Sequence, residues 1–448
     1  MSSKKKISRL KKQTKFSSAK FIHIIATRLF NISPSLFNFA SEVYTKNREM
    51  FRSLERITTN YSKVSTSSLR TIYIIASGDP NSSVKSGIGR VENFFYSSLT
   101  DKEQSLFRVI PVTWEGGTFV VSDGSQSAKL SKKFSKRQVE IWNPSKNDIL
   151  FIQFYTIFGT HDKSKIQSIV GRCKIAVSIY DIVPITHPEW FPDYLSEGFL
   201  QFFDSALVHA NLLIVNSDKT KRDIETYMAT IDLSVNNHKP IIKKVDLWSV
   251  ATPQLQSQKL RRKELVPQRL FQNLDPVLLL LSAVEPRKGH QELINAAREA
   301  WARGAKFNLI FIGRPGWISK SFKTELDVFL ENESKRAIWR QSVEDSELEK
   351  LLNASNVLIS PSLDEGYGLP IAEALQRGLP VLANGIPVYQ ELFGRHIILY
   401  GPSESYSSLV DALVNIESVI SVGRNLINSE QFSNIDSTAE LLESFRDI

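Results

Sequence analysis

From about residue 65 onward the chain alternates short, unbroken apolar runs with helix-patterned segments, in two successive series. The first series is 71–76 (TIYIIA), 149–154 (ILFIQF), 174–180 (KIAVSIY) and 212–216 (LLIVN). The second is 277–283 (VLLLLSA), 308–313 (NLIFIG), 356–361 (NVLISP), 380–383 and 397–399. These runs are continuous rather than alternating polar and apolar, as parallel strands covered on both faces must be. Between them lie amphipathic stretches such as 291–303 and 347–352. Strand–helix alternation repeated in this way predicts two doubly wound, Rossmann-like α/β domains. A chain of 448 residues is also too long for one ordinary core. The polar segment 252–273, basic at 259–263, reads as the linker. The expected organisation is an N-terminal extension (1–64), a first domain (65–255), a second domain (256–428) and a C-terminal helix (429–448) able to cross back to the first.

The net charge of +9 suggests nucleic acid until it is located. Nine of the 56 basic residues precede Glu42, the first acidic one, leaving 47 to balance 47 acidic residues. The body is neutral and the excess is a tail, so no nucleic-acid partner is expected. Within residues 1–30 the basic run adjoins Phe16, Phe21, Ile22, Ile25, Leu29 and Phe30. Such a segment suits an anionic membrane surface; a disordered tail and a targeting segment are the alternatives. His23, Arg28 and Asn31 interrupt any spanning run. Cys173 is the only cysteine, which forbids an intrachain disulfide, and no Cys/His cluster has metal-site spacing, so no metal is expected. A cytoplasmic setting, peripheral on the inner face of the membrane if the tail binds there, follows.

Four segments carry candidate chemistry. In 360–375 (SPSLDEGYGLPIAEAL) a strand gives way to a helix at the kind of edge where open α/β sheets bind ligands. Gly366 and Gly368 permit a tight turn, and the free amides around Tyr367 and Leu369 suit an anion. Glu365 and Glu373 can accept hydrogen bonds from sugar hydroxyls; the plain alternative makes Glu373 a solvated helical glutamate. In 283–290 (AVEPRKGH), Arg287 and Lys288 bring two cations to a strand edge, where they would stabilise a departing anion. In 86–91 (SGIGRV), Gly87 and Gly89 form a tight loop with Arg90 beside it, without the spacing of a dinucleotide fingerprint. In 179–192 (IYDIVPITHPEWFP), Tyr180, Asp181 and His187 are candidates for acceptor contact or proton handling.

The segment 365–373 (EGYGLPIAE) resembles the paired-glutamate motif of retaining glycosyltransferase family four, of GT-B fold. AVEPRKG resembles that family's phosphate loop, SGIGRV its glycine loop, and 216–224 (NSDKTKRDI) its serine-bearing segment. The segment 180–192 is similar to bacterial polysaccharide mannosyl- and rhamnosyltransferases. The resemblance implies two Rossmann-like domains facing a central cleft. It also implies transfer of a hexose or deoxyhexose from a GDP-, UDP- or dTDP-sugar to a glycan or lipid-linked acceptor. No cofactor or metal is implied. Glu373 would bind the ribose and Glu365 the transferred sugar. Amides of Gly366, Tyr367, Gly368 and Leu369 would surround sugar and phosphate. Arg287 and Lys288 would hold the diphosphate, Gly87 and Gly89 would lie beneath it, and the backbone at Ser342 and Val343, after a strand near Ile338, would meet the base. Many relatives carry histidine where this chain has Tyr180. A binding protein without turnover and a GT-B nucleotide-sugar epimerase are the alternatives.

Overall fold

The computed structural model describes residues 70–75, 87–101, 107–115, 118–121, 144–153, 169–231, 239–251, 270–427 and 435–448. The N-terminal extension, with the membrane-binding segment expected in residues 1–30, and most of the expected linker lie outside the described residues.

The first sheet contains β1 (Arg70–Ile75), β2 (Phe107–Glu115), β3 (Thr118–Val121), β4 (Ile149–Ile152), β5 (Lys174–Ile179), β6 (Leu212–Val215) and β7 (Ile241–Lys244). Its order is β3-β2-β1-β4-β5-β6-β7, parallel except for β3 against β2. The second contains β8 (Val277–Leu281), β9 (Asn308–Ile312), β10 (Ala337–Arg340), β11 (Val357–Ser360), β12 (Val381–Asn384) and β13 (Ile398–Tyr400). Its order, β10-β9-β8-β11-β12-β13, is wholly parallel. Counted within that half, this is the Rossmann order 3-2-1-4-5-6, whose direction reverses between β8 and β11. The first sheet reverses between β1 and β4. Each reversal opens a crevice at the carboxyl ends of its strands.

The apolar runs become strands because both faces are covered. Every residue of β4 and β9 is buried, as are five of six in β1 and in β5. Each large aliphatic side chain so buried stabilises the fold by about 1.5–3 kcal/mol. Three strands were not read from the sequence. β2 contains Pro111, which sits opposite Ile74, and β7 is a largely exposed edge of sequence IIKK. β3 is a short antiparallel return on β2.

Five helices matter for the site: α1 (Gly87–Asp101), α2 (Asp218–Thr230), α3 (Leu369–Gln376), α4 (Pro387–Phe393) and α5 (Ser437–Ser444). Ser217 caps α2 by accepting from Thr220 N, and Asp436 caps α5 through two amides. After α5, Phe445 meets Phe107 and Phe151 edge-on at 6.4 and 5.2 Å, and Arg70 donates to its carbonyl. The chain end is thereby fixed to the first sheet. No described helix is long and apolar enough to cross a membrane.

Candidate active site

The loops that follow β8 and β11 meet at the reversal point of the second sheet. They interlock closely. Gly289 has φ 70°, and a Cβ there would lie 1.9 Å from the carbonyl oxygen of Pro361. A one-turn 3₁₀ helix, Pro286–Lys288, turns both cations toward Glu365. Arg287 Nη1 lies 2.9 Å from Glu365 Oε2, and Lys288 Nζ pairs with Oε1. Ser362 Oγ donates to Oε1 at 3.0 Å, and Arg287 Nη1 also donates to the carbonyl of Asp364. Burial alone would raise the pKa of Glu365; the charges and hydrogen bonds of Lys288 and Arg287 overcome it and hold the group at about 2. Burial would lower the pKa of Arg287, but Glu365, Asp181 and Glu285 raise it. Both groups are therefore ionised at neutral pH.

The other half of the chain closes on this loop. A Cβ on Gly366 would lie 1.9 Å from the Tyr180 carbonyl oxygen and 3.1 Å from Asp181 Cβ, so only glycine fits. Ser217 Oγ donates to the Gly366 carbonyl at 2.8 Å, and Thr220 Oγ1 donates to the Tyr180 carbonyl at 3.3 Å. Lys219 Nζ reaches Asp364 at 2.5 Å. The Glu391 carboxylate on α4 accepts from the Asp218 and Lys219 amides at 2.7 and 2.8 Å, at the positive end of α2. Asp181 accepts from Val183 N at 3.2 Å; burial raises its pKa while Arg287 opposes the shift. Burial and Glu92 push the Tyr180 hydroxyl upward, so it is protonated at neutral pH. Tyr367 is turned into the core, where its hydroxyl donates to Asp246 at 2.5 Å. Gly368, at φ 104°, opens α3, and a Cβ there would lie 2.7 Å from the Tyr389 ring.

Glu373 is 3% exposed, which corrects the solvated-helix alternative: α3 is buried over five consecutive residues, and the glutamate is buried with it. Its carboxylate pairs with Arg90 of α1, across the divide between the two sheets. Burial raises its pKa, and Arg90 and then Arg377 oppose that shift. Gly87 and Gly89 occupy the first turn of α1 itself, whereas the sequence suggested a loop. Arg90 lies on the same turn and points at Glu373.

Other expected residues are not drawn together. His187 stacks on Trp190 at 4.0 Å and its Nδ1 lies 3.1 Å from Glu189. None of these contacts reaches the Glu365 cluster. Ser342 is exposed and Val343 half-buried, after the edge strand β10. The sequence reading did not single out Lys219, Asp364, Glu285 or Glu391. The first three lie inside the segments quoted above, Asp364 beside Glu365 and Glu285 two residues before Arg287. Glu391 carried no local signal.

The loops after β8 and β11 meet residues that follow β5 and β6 around a buried acid–base cluster, and this is the candidate site among the described residues. Residues 261–419 match the family model of glycosyl transferases group 1. That segment contains β8 to β13 and every member of the Glu365 cluster except Asp181. The chain is 30% identical over 228 residues to the serotype-specific mannosyltransferase WbdA of Escherichia coli, covering 49% of this chain and 27% of that protein. It is 26% identical over 160 residues to the O-antigen chain mannosyltransferase RfbU of Salmonella typhimurium, covering 35% and 44%. The chain thus spans less than half the length of these relatives. Among solved structures, sucrose-phosphate synthase from Thermosynechococcus elongatus superposes with TM-score 0.53 at 14% identity, over 84% of this chain and 98% of that one. WaaG, a glycosyltransferase involved in lipopolysaccharide biosynthesis, gives 0.51 at 14% over 84% and 99%. Anabaena Alr3699/HepE, solved in complex with UDP and glucose, gives 0.50 at 15% over 85% and 100%. The fold is GT-B, two Rossmann-like domains facing a cleft. The resemblance to family four, read from EGYGLPIAE and AVEPRKG, and that to polysaccharide mannosyltransferases, read from 180–192, agree with these matches.

Proposed function

We propose that the chain is a retaining, metal-independent glycosyltransferase that moves a hexose from a nucleoside-diphosphate sugar to a glycan or lipid-linked acceptor. The observation that carries this reading is the buried pairing of Glu365 with Arg287 and Lys288 at the reversal point of the second sheet. Two fixed cations there would meet the diphosphate, and their charge supplies what the leaving group needs as the sugar–phosphate bond breaks. Glu373 receives the ribose, and Gly87 and Gly89 lie beneath the diphosphate from the first domain. Glu365 meets the transferred sugar, and the amides from Gly366 to Leu369 surround it. An acid held at about 2 gives up no proton at neutral pH, so Glu365 acts as a hydrogen-bond acceptor and counter-charge, not as a general acid. The sugar C1–oxygen bond breaks with its electron pair leaving on the diphosphate. The acceptor oxygen attacks from the same face, and its proton passes to the departing phosphate oxygen. Relatives named as mannosyltransferases make GDP-mannose the first donor to try.

The test is NMR of the product formed from GDP-, UDP- and dTDP-sugars with an oligomannoside acceptor, in chelator. Transfer with the donor's anomeric configuration is expected. An inverted product, or donor epimerised with no transfer, contradicts the proposal.

A further inference from the structure

The Arg90–Glu373 pair joins the two sheets across the site, and it occupies the carboxylate that the proposed function assigns to the donor ribose. The two partners differ in freedom. Glu373 is buried on α3, whereas the Arg90 side chain is 36% exposed on the first turn of α1. Arg377, the other cation near Glu373, is already engaged: it donates to the Glu373 carbonyl at 2.8 Å and pairs with Glu349 at 2.7 Å. Arg90 is therefore the cation able to leave. A ribose diol that takes both carboxylate oxygens of Glu373 competes with Arg90 for Oε1, the oxygen that Arg90 holds. A displaced guanidinium remains tethered at the amino end of α1, beside Gly87 and Gly89 and facing the second sheet. The nearest anion in a donor complex is the diphosphate.

We propose that Arg90 exchanges partners on donor binding, leaving Glu373 for the diphosphate, and so delivers a third cation to the leaving group from the first domain. The inference rests on the proposed function, since it needs a nucleoside diphosphate in this site. It makes a prediction of opposite sign for two parts of one ligand. The nucleoside alone gives up the Arg90–Glu373 pair for its ribose contact and offers the released Arg90 no anion. The diphosphate breaks the same pair and gains a bidentate, charge-assisted contact.

Calorimetric titration tests this with whichever of GDP, UDP and dTDP the wild type binds most tightly, together with its parent nucleoside. Arg90→Ala should weaken the diphosphate about tenfold to a hundredfold. The same variant should bind the nucleoside at least as tightly as wild type. Arg90→Lys should retain part of the diphosphate affinity, as a point charge without the fork. Equal weakening of both ligands in Arg90→Ala would overturn the exchange and leave Arg90 as a partner that only keeps Glu373 ionised. Unfolding midpoints of the variants are measured alongside; nucleoside binding at wild-type strength shows that the site is intact. A wild type that binds none of the three diphosphates overturns this inference and the proposed function together.

Discussion

Replacing both Arg287 and Lys288 by alanine is expected to reduce kcat by at least about 10²–10³-fold, while the donor dissociation constant changes much less. The asymmetry follows from when the charge develops. In the ground state the diphosphate already has solvent and backbone amides to neutralise it. At the transition state further negative charge gathers on the leaving oxygen, in a site where Arg287 and Lys288 are both largely buried. Single variants are informative because the two cations hold different oxygens of Glu365, Arg287 on Oε2 and Lys288 on Oε1. Each alone leaves the carboxylate one cationic partner. Pre-steady-state turnover and donor titration of each variant would separate binding from chemistry. Loss confined to donor affinity, with kcat intact, would mean that the cations bind the donor without assisting departure.

The largest stability effect is expected at Glu365. Glu365→Ala leaves Arg287 and Lys288 buried without the carboxylate they share, with Glu285 at 3.5 Å from Arg287 as the remaining ion pair, and should cost about 3–5 kcal/mol. Glu365→Gln keeps the shape and removes the charge, so it isolates the electrostatic part. The acid pH profile carries the same information. The pKa of Glu365 is depressed from 4.5 to about 2 on folding. Its stabilising contribution is thus fully present above the unfolded value and lost as pH falls toward 2. The amount is on the order of 3 kcal/mol. Denaturant unfolding from pH 6 to pH 2.5 should show a weaker decline in Glu365→Gln than in wild type. A parallel decline in the two proteins would show that other carboxylates govern acid sensitivity. Added nucleoside diphosphate should stabilise Glu365→Ala more than wild type, because there it meets the two cations without competition from the carboxylate.

Strands buried on both faces were legible in the sequence because continuous apolar runs have few other uses. β2 and β7 were not. Pro111 argues against an interior strand, and the two lysines of IIKK argue against any buried run. The Glu365, Arg287 and Lys288 cluster was visible as two loop segments, and the Rossmann strand order explains why they converge. Glu373 was legible as a residue but not as a buried one. Its burial comes from a helix covered on nearly every side and from Arg90, far away in the chain. No local pattern encodes such a contact. His187 was legible as a histidine among prolines, whereas its stacking on Trp190, three residues on, was not.

Binding of the nucleoside diphosphate to Glu373 is the most direct measurement of the central claim. Titration of wild type and Glu373→Ala with GDP, UDP and dTDP should give heat of binding for one of them in wild type. The variant should bind that nucleotide more weakly by about 1.5–3 kcal/mol, as expected for a charged acceptor of ribose hydroxyls. Equal affinity in the two proteins would contradict the account.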